Sequence, residues 1–361
     1  MSLREIIIQR IEKEGPLSFR DFMDMCLYYP QLGYYQSARE KLGKHGDYFT
    51  GPTLSPAFGA MIGKQLEEMW RLLGENEFSV VEYGAGTGAL CTDILSFLKK
   101  NARMYDGLKY FILEKSGSMR EEARKHIKEP NVIWCDGWQD LPEINGCVLA
   151  NEVVDNFPVH QVLMKDEMME LYVDYKNDFV ESFIPADGVL RNYMEELKVK
   201  LPNGFRTEIN LEANKWIQKI TGNLKKGYVI TIDYGFPSSE LYQDYRRLGT
   251  LMCYNKHRVN DKPYLNIGEQ DITSHVNFSA LCLWGVKSGL EFAGFRDQAG
   301  FLYALGIKEY LSGLRKADGK NINDLMRYFT RQALLEDLGA KLKVLVLQKG
   351  APRQQLMGFE C

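Results

Sequence analysis

The residues with the clearest chemical potential lie in Glu82-Tyr83-Gly84-Ala85-Gly86-Thr87-Gly88, between an apolar run, Phe78 to Tyr83, and a stretch carrying Leu90, Ile94 and Leu98 at helical spacing. Strand, tight turn and helix are expected in that order. Glycine at 84, 86 and 88 permits positive φ and lets a ligand approach backbone without a Cβ. The helix that follows begins with unpaired N–H groups. A dinucleotide fold would prefer G-x-G-x-x-G beneath a pyrophosphate. The G-x-G-x-G spacing with Glu82 ahead of it instead suits a ligand that lacks phosphate and carries a cationic end, as S-adenosyl-L-methionine does with its amino-acid moiety and sulfonium.

Further acids follow at the expected ends of later strands. Glu114 closes the next apolar run, where a carboxylate could accept hydrogen bonds from two ribose hydroxyls, with Ser116 beside it. Asp136, followed by Gly137-Trp138, suits an adenine amino group and an apolar wall. Asn151 ends the fourth run, and Glu152-Val153-Val154-Asp155-Asn156-Phe157-Pro158-Val159-His160 continues from the edge where a transferred group would meet its acceptor. Glu152 and Asp155 could orient a guanidinium through charge-assisted hydrogen bonds, the alternative being solvated acids at a helix start. His160 could accept a proton, although a lone histidine more often packs or caps. The Asn/Asp-Pro-Pro-aromatic pattern of enzymes that methylate adenine is missing.

These residues need a scaffold, and the order of the elements supplies one. Leu3, Ile7 and Ile11 mark a first helix, and Ser18 with Asp21 starts a second. Ser55 and Pro56 fit N-cap and N1 of a helix bearing Phe58, Ile62, Leu66, Met69 and Leu73. From residue 78 short apolar runs alternate with helical stretches: Phe78 to Tyr83, Tyr110 to Glu114, Val132 to Cys135, Cys147 to Ala150 and later Tyr228 to Asp233, with Leu342 to Leu347 near the end. Buried parallel strands in a doubly wound α/β sheet are expected, with ligands at their carboxyl ends. The expected division is 1–75 for an N-terminal helical region, 76–160 with 225–350 for the sheet domain, and 161–224 for an inserted subdomain holding a hairpin over Met168 to Ile184. The loop Gly43 to Pro52, with Asp47, Tyr48 and Thr50, reads as a cofactor lid or as a plain surface turn.

Composition narrows the function class. The 361 residues are 45% hydrophobic and 26% charged with net charge −3, so a packed fold is expected and general nucleic-acid binding is not. The seven cysteines form no C-x-x-C pair, which points to no metal site and no disulfide framework. No apolar run approaches bilayer length, and the first fifteen residues, with Glu5, Glu12 and Glu14, match neither a secretory signal nor a transit peptide, so the cytoplasm is the expected compartment.

With these pieces in order, the chain resembles the MidA family of methyltransferases, which includes a mitochondrial complex I assembly factor that methylates an arginine of a complex I subunit. The resemblance is carried by Leu32-Gly33-Tyr34-Tyr35, by Gly46-Asp47-Tyr48-Phe49-Thr50 with Ser55 and Phe58-Gly59, by Glu82 to Gly88 and by Asn151 to His160. Asp233-Tyr234-Gly235 and Asp271-Ile272-Thr273-Ser274-His275-Val276-Asn277-Phe278 complete it. Where the family often has Glu-Leu-Gly-Pro-Gly, Glu82-Tyr83-Gly84-Ala85-Gly86 keeps every glycine. The resemblance implies a class I, Rossmann-like, seven-stranded core with an N-terminal helical extension and an inserted substrate-side subdomain. It implies S-adenosyl-L-methionine as cofactor, S-adenosyl-L-homocysteine as product, the 43–52 loop as a lid and an arginine of a protein as acceptor, a respiratory-complex subunit in relatives.

Overall fold

The computed structural model describes residues 1–37, 55–256, 258–318 and 332–360. Asp47, Tyr48 and Thr50 lie outside the described residues. The chain divides into two compact units, one built from the described parts of Met1–Tyr48, Val154–Trp216 and Gly235–Trp284, the other from those of Phe49–Val153, Ile217–Tyr234 and Gly285–Cys361.

The second unit is built on the expected alternating runs. Numbered along the chain, its strands are β2 (Phe78–Tyr83), β3 (Leu108–Leu113), β4 (Val132–Cys135), β5 (Ile144–Asn151), β10 (Leu224–Phe236), β15 (Glu291–Asp297) and β16 (Leu342–Lys349). They form a mixed sheet in the order β15-β16-β10-β5-β2-β3-β4. The stretch from β10 to β4 is parallel, and β16 lies antiparallel to both β10 and β15. The chain order therefore reverses between β2 and β5, the position where an open α/β sheet leaves a ligand crevice. Registry levels the ends there, with Tyr83 opposite both Leu113 and Ala150.

Side chains from every layer meet in this unit's core. Phe58, Ile62 and Leu66 of the helix Pro56–Leu72 pack with Val80, Ile94, Tyr110, Leu149, Ile230 and Val344, all fully buried. Each fully buried aliphatic or aromatic side chain contributes roughly 1.5–3 kcal/mol. Ser55 caps that helix by accepting from Ala57 N at 3.2 Å, and Pro56 opens it, as its sequence indicates.

The first unit holds β1 (Leu17–Ser18), β6 (His160–Met164), β7 (Met168–Lys176), β8 (Asp178–Pro185) and β9 (Arg206–Ile209), in a sheet of order β1-β7-β6-β9 with β8 also paired to β7. The hairpin expected over Met168 to Ile184 is β7 and β8. A smaller sheet joins β11 (Met252–Asn255), β12 (Arg258–Asn260) and β13 (Asp271–Thr273), and the short β14 (Val276–Asn277) pairs with Gly235–Phe236. Val162, Leu190, Tyr193, Phe205 and Ile209 form a core of its own.

The observed division corrects the expected one. The helix Pro56–Leu72 belongs with the main sheet rather than with the N-terminal helices. The first 37 residues group with the insertion, which also takes in 235–284, a stretch the sequence reading gave to the sheet domain. Pattern in a window reports what an element buries but not which element covers it.

Candidate functional site

Backbone hydrogen bonds tie the glycine turn to β3 and close it on itself. Gly84 N donates to Leu113 O, and Gly88 N to Ala85 O, both at 2.8 Å. All three glycines have positive φ: 78° at Gly84, 55° at Gly86 and 80° at Gly88. A Cβ at Gly84 would stand 2.6 Å from Val153 Cγ2, and one at Gly88 would stand 2.5 Å from Ile127 Cδ1. Positive φ favours glycine at both ends of the turn, and the packed Val153 and Ile127 side chains add to that preference. Ala85 is buried between them. The helix Ala89–Leu98 starts at Gly88 with no side-chain cap.

Glu114 does more than end β3. Its Oε2 accepts from Gly86 N at 2.9 Å and its Oε1 from Ser116 N at 2.7 Å, so the carboxylate fixes the turn against the following helix. Ser116 is buried and caps the helix Gly117–His126 through Met119 N.

Glu82 is 2% exposed, and Tyr110 donates its hydroxyl to Glu82 Oε2 at 2.8 Å. Burial pushes the Glu82 carboxyl up to about 8; the Tyr110 hydrogen bond opposes this and the charge of Glu114 adds to it. The acid expected beside the turn for the cofactor's cationic end is thus an enclosed one. Tyr110, which the sequence reading treated only as the start of an apolar run, is its partner.

After β4 the expected side chain turns outward. Asp136 is 80% exposed in its side chain and forms an ion pair with Arg120. The loop is organised by Asp140, whose Oδ2 accepts from Asp136 N at 2.8 Å and Gly137 N at 3.0 Å. Trp138 stacks on Tyr83, centroids 5.8 Å apart and planes 21° apart, which gives a flat aromatic pair at the ends of β2 and β4. Asp140 was missed, although an acid four residues beyond Asp136 is a recognisable local acceptor.

At the end of β5, Asn151 Oδ1 is buried without a hydrogen-bond partner among the described residues, while its Nδ2 donates to Glu152 Oε1 at 3.2 Å. Glu152 adopts φ 52°, a left-handed conformation uncommon for glutamate, held by Glu152 N donating to Ile232 O at 2.8 Å. The next residue is anchored too, because the fully buried Asp233 accepts from Val153 N through Oδ2 at 3.1 Å.

The other two acceptor-side candidates belong to the first unit. Asp155 is 8% exposed, and its carbonyl accepts from Ser274 N at 2.8 Å. His160 Nδ1 lies 2.6 Å from Oε1 of the buried Glu170, as a packed histidine would. Segments that carry the resemblance meet in this unit: Tyr35 donates to Asp271 Oδ2 at 2.9 Å, and Asn156 Nδ2 donates to the Tyr35 hydroxyl at 3.3 Å. Among the described residues no cluster of three or more metal-binding side chains occurs, and no helix is long and apolar enough to cross a membrane.

Comparison with known proteins bears on this arrangement. A family profile described as "Putative S-adenosyl-L-methionine-dependent methyltransferase" matches residues 61–296. A crystal structure from Burkholderia thailandensis bound to S-adenosyl-homocysteine superposes with a TM-score of 0.90 at 30% identity, covering 99% of this chain and 94% of that one. A mitochondrial protein arginine methyltransferase NDUFAF7 homolog of Caenorhabditis elegans is 26% identical over 96% of this chain and 86% of its own length. The Bos taurus protein arginine methyltransferase NDUFAF7 is 25% identical over 98% and 84%.

Proposed function

The chain belongs to this family of S-adenosyl-L-methionine-dependent methyltransferases, and on that premise we propose that it methylates a guanidino nitrogen of arginine in a protein. S-adenosyl-L-methionine is the cofactor, and the residues at the strand ends fit it. Asn151 Oδ1 is a buried acceptor in want of a donor, which an α-ammonium can supply, and Trp138 on Tyr83 offers the flat surface an adenine needs. When bound, the cofactor supplies an electrophilic methyl group and leaves as S-adenosyl-L-homocysteine.

The arginine reading rests on Glu152. A non-glycine residue held in the left-handed region costs on the order of 1–3 kcal/mol and persists only where its surroundings over-determine it. Here the Glu152–Ile232 and Val153–Asp233 bonds provide that constraint. A carboxylate carried on this pinned backbone at the end of β5 can hold a guanidinium by charge-assisted hydrogen bonds, keep one nitrogen in line and favour loss of its proton as the new bond forms. The NDUFAF7 relatives, named as protein arginine methyltransferases, support the same acceptor.

Incubation with methyl-labelled cofactor and cell extract, followed by hydrolysis of the labelled fraction, tests this reading. Label is expected in protein, recovered as methylarginine. Glu152→Gln is expected to lower turnover at least about tenfold, equivalent to roughly 1.4 kcal/mol in the barrier, with cofactor affinity nearly unchanged. Label confined to RNA or small molecules would overturn the acceptor, and full turnover by the Gln variant would remove Glu152 from the role.

A further inference from the structure

Among the described residues, Glu82 is an enclosed acid without a cation. It sits at the end of β2, two residues before Gly84, and its side chain is almost wholly withdrawn from water. The groups that face it are Tyr110 from β3, Glu114 from the end of that strand and Cys91 from the helix Ala89–Leu98, with Cys147 of β5 beside Tyr110. Each of these is neutral or acidic. Among the described residues no lysine, arginine or histidine pairs with it, and its one side-chain donor is a hydroxyl. A carboxylate in such a place is costly unless a positive charge accompanies it. The described residues provide none, but the cofactor carries one at sulfur and the product does not.

We propose that Glu82 releases its carboxyl proton to solvent when the sulfonium cofactor binds and is protonated again beside the neutral thioether product, so that this buried acid distinguishes cofactor from product. The inference rests on the cofactor and not on the identity of the acceptor. The balance is simple. The Glu82 O–H bond breaks and its proton passes to water; methyl transfer removes the sulfonium charge; the carboxylate then recovers a proton from water, with no change of oxidation state. Product release benefits, because the ionised form that attracts the cofactor has no counter-charge once the thioether is left.

The sign of the pH dependence follows from the enclosed carboxyl lying at about 8 in the free protein. Below that value cofactor binding must also remove a proton, so affinity for S-adenosyl-L-methionine rises with pH and levels above it, whereas binding of S-adenosyl-L-homocysteine needs no such step. The ratio of the two affinities is expected to climb by up to about tenfold per pH unit from pH 6 towards 8.

Calorimetric titration of each ligand at pH 7, in phosphate and in Tris, reads the linked proton directly through the difference in buffer ionisation heat. Close to one more proton is expected to be released with S-adenosyl-L-methionine than with S-adenosyl-L-homocysteine. Glu82→Gln keeps an acceptor for Tyr110 and is expected to abolish the excess while retaining the binding of S-adenosyl-L-homocysteine, which reports a folded site. The amino group of each ligand contributes equally in wild type and variant, so the change between proteins belongs to residue 82. Equal proton release for the two ligands in the wild type, or an excess that survives in Glu82→Gln, overturns the inference while leaving the cofactor in place. Binding of neither ligand by the wild type would overturn the cofactor assignment as well.

Discussion

Glu114 accepts two backbone N–H groups from different segments, Gly86 and Ser116, one on each carboxylate oxygen. Glutamine there has a single oxygen, so its amide nitrogen must point at one of the two donors. Glu114→Gln is therefore expected to weaken binding of S-adenosyl-L-homocysteine almost as much as Glu114→Ala does, by about 1–3 kcal/mol, because the turn loses its tie in both. Calorimetry on the two variants checks this; affinity unchanged in the Gln form would mean that the Gly86 and Ser116 bonds do not order the site. The residue types at this strand end were legible in the sequence because an acid after an apolar run is conspicuous. Its partner in the turn was not, since Gly86 lies 28 positions away, and neither was the partner of Glu82, because Tyr110 is hidden within a strand.

Between β4 and β5 the chain has little regular structure, and the cap by Asp140 on Asp136 N and Gly137 N takes its place. That cap sets where Trp138 begins and hence its stack on Tyr83. Asp140→Ala is expected to loosen the loop and weaken cofactor affinity several-fold, with melting temperature changed little, since Asp140 is itself exposed. A variant that melts early but binds normally would assign Asp140 to stability alone. Elements of this sheet that bury both faces were readable as apolar runs: β2 matches its expected limits, and β5 and β10 merely extend further, while the half-exposed edge strand β4 was legible from its apolar residues alone. The edge strand β15 escaped notice because Phe292 is 56% exposed and a register irregularity at Gly294 breaks the alternation. The domain limits failed for a different reason. Residues 1–37 pair with β7 through Leu17 and Ser18, a contact more than 150 positions long that no local period encodes.

Two buried titratable groups, His275 in the first unit and Glu82 in the second, respond to pH in opposite directions. In the first, His275 is pushed down to about 4 by burial and by the nearby Arg246 guanidinium, and its Nδ1 is buried without a hydrogen-bond partner among the described residues. Its proton affinity in the folded state is below the unfolded value of 6.5. The stability it contributes is thus present above pH 6.5 and lost as pH falls towards 4, with a ceiling of roughly 3 kcal/mol. In the second unit Glu82 runs the opposite way. Its folded value of about 8 exceeds the unfolded 4.5, so its contribution is full below pH 4.5 and is lost as pH rises through 8. Urea unfolding of wild type, His275→Gln and Glu82→Gln at pH 4.5, 6.5 and 8.5 separates the two. The His275→Gln protein is expected to lose less stability than wild type on going from pH 6.5 to 4.5, and Glu82→Gln less on going from 4.5 to 8.5. Saturating S-adenosyl-L-methionine should flatten the alkaline loss in the wild type, because the ligand provides the positive charge that ionised Glu82 otherwise lacks, and S-adenosyl-L-homocysteine should leave that slope in place. An alkaline limb identical in wild type and Glu82→Gln would show that the enclosed carboxyl does not govern the stability of the sheet unit.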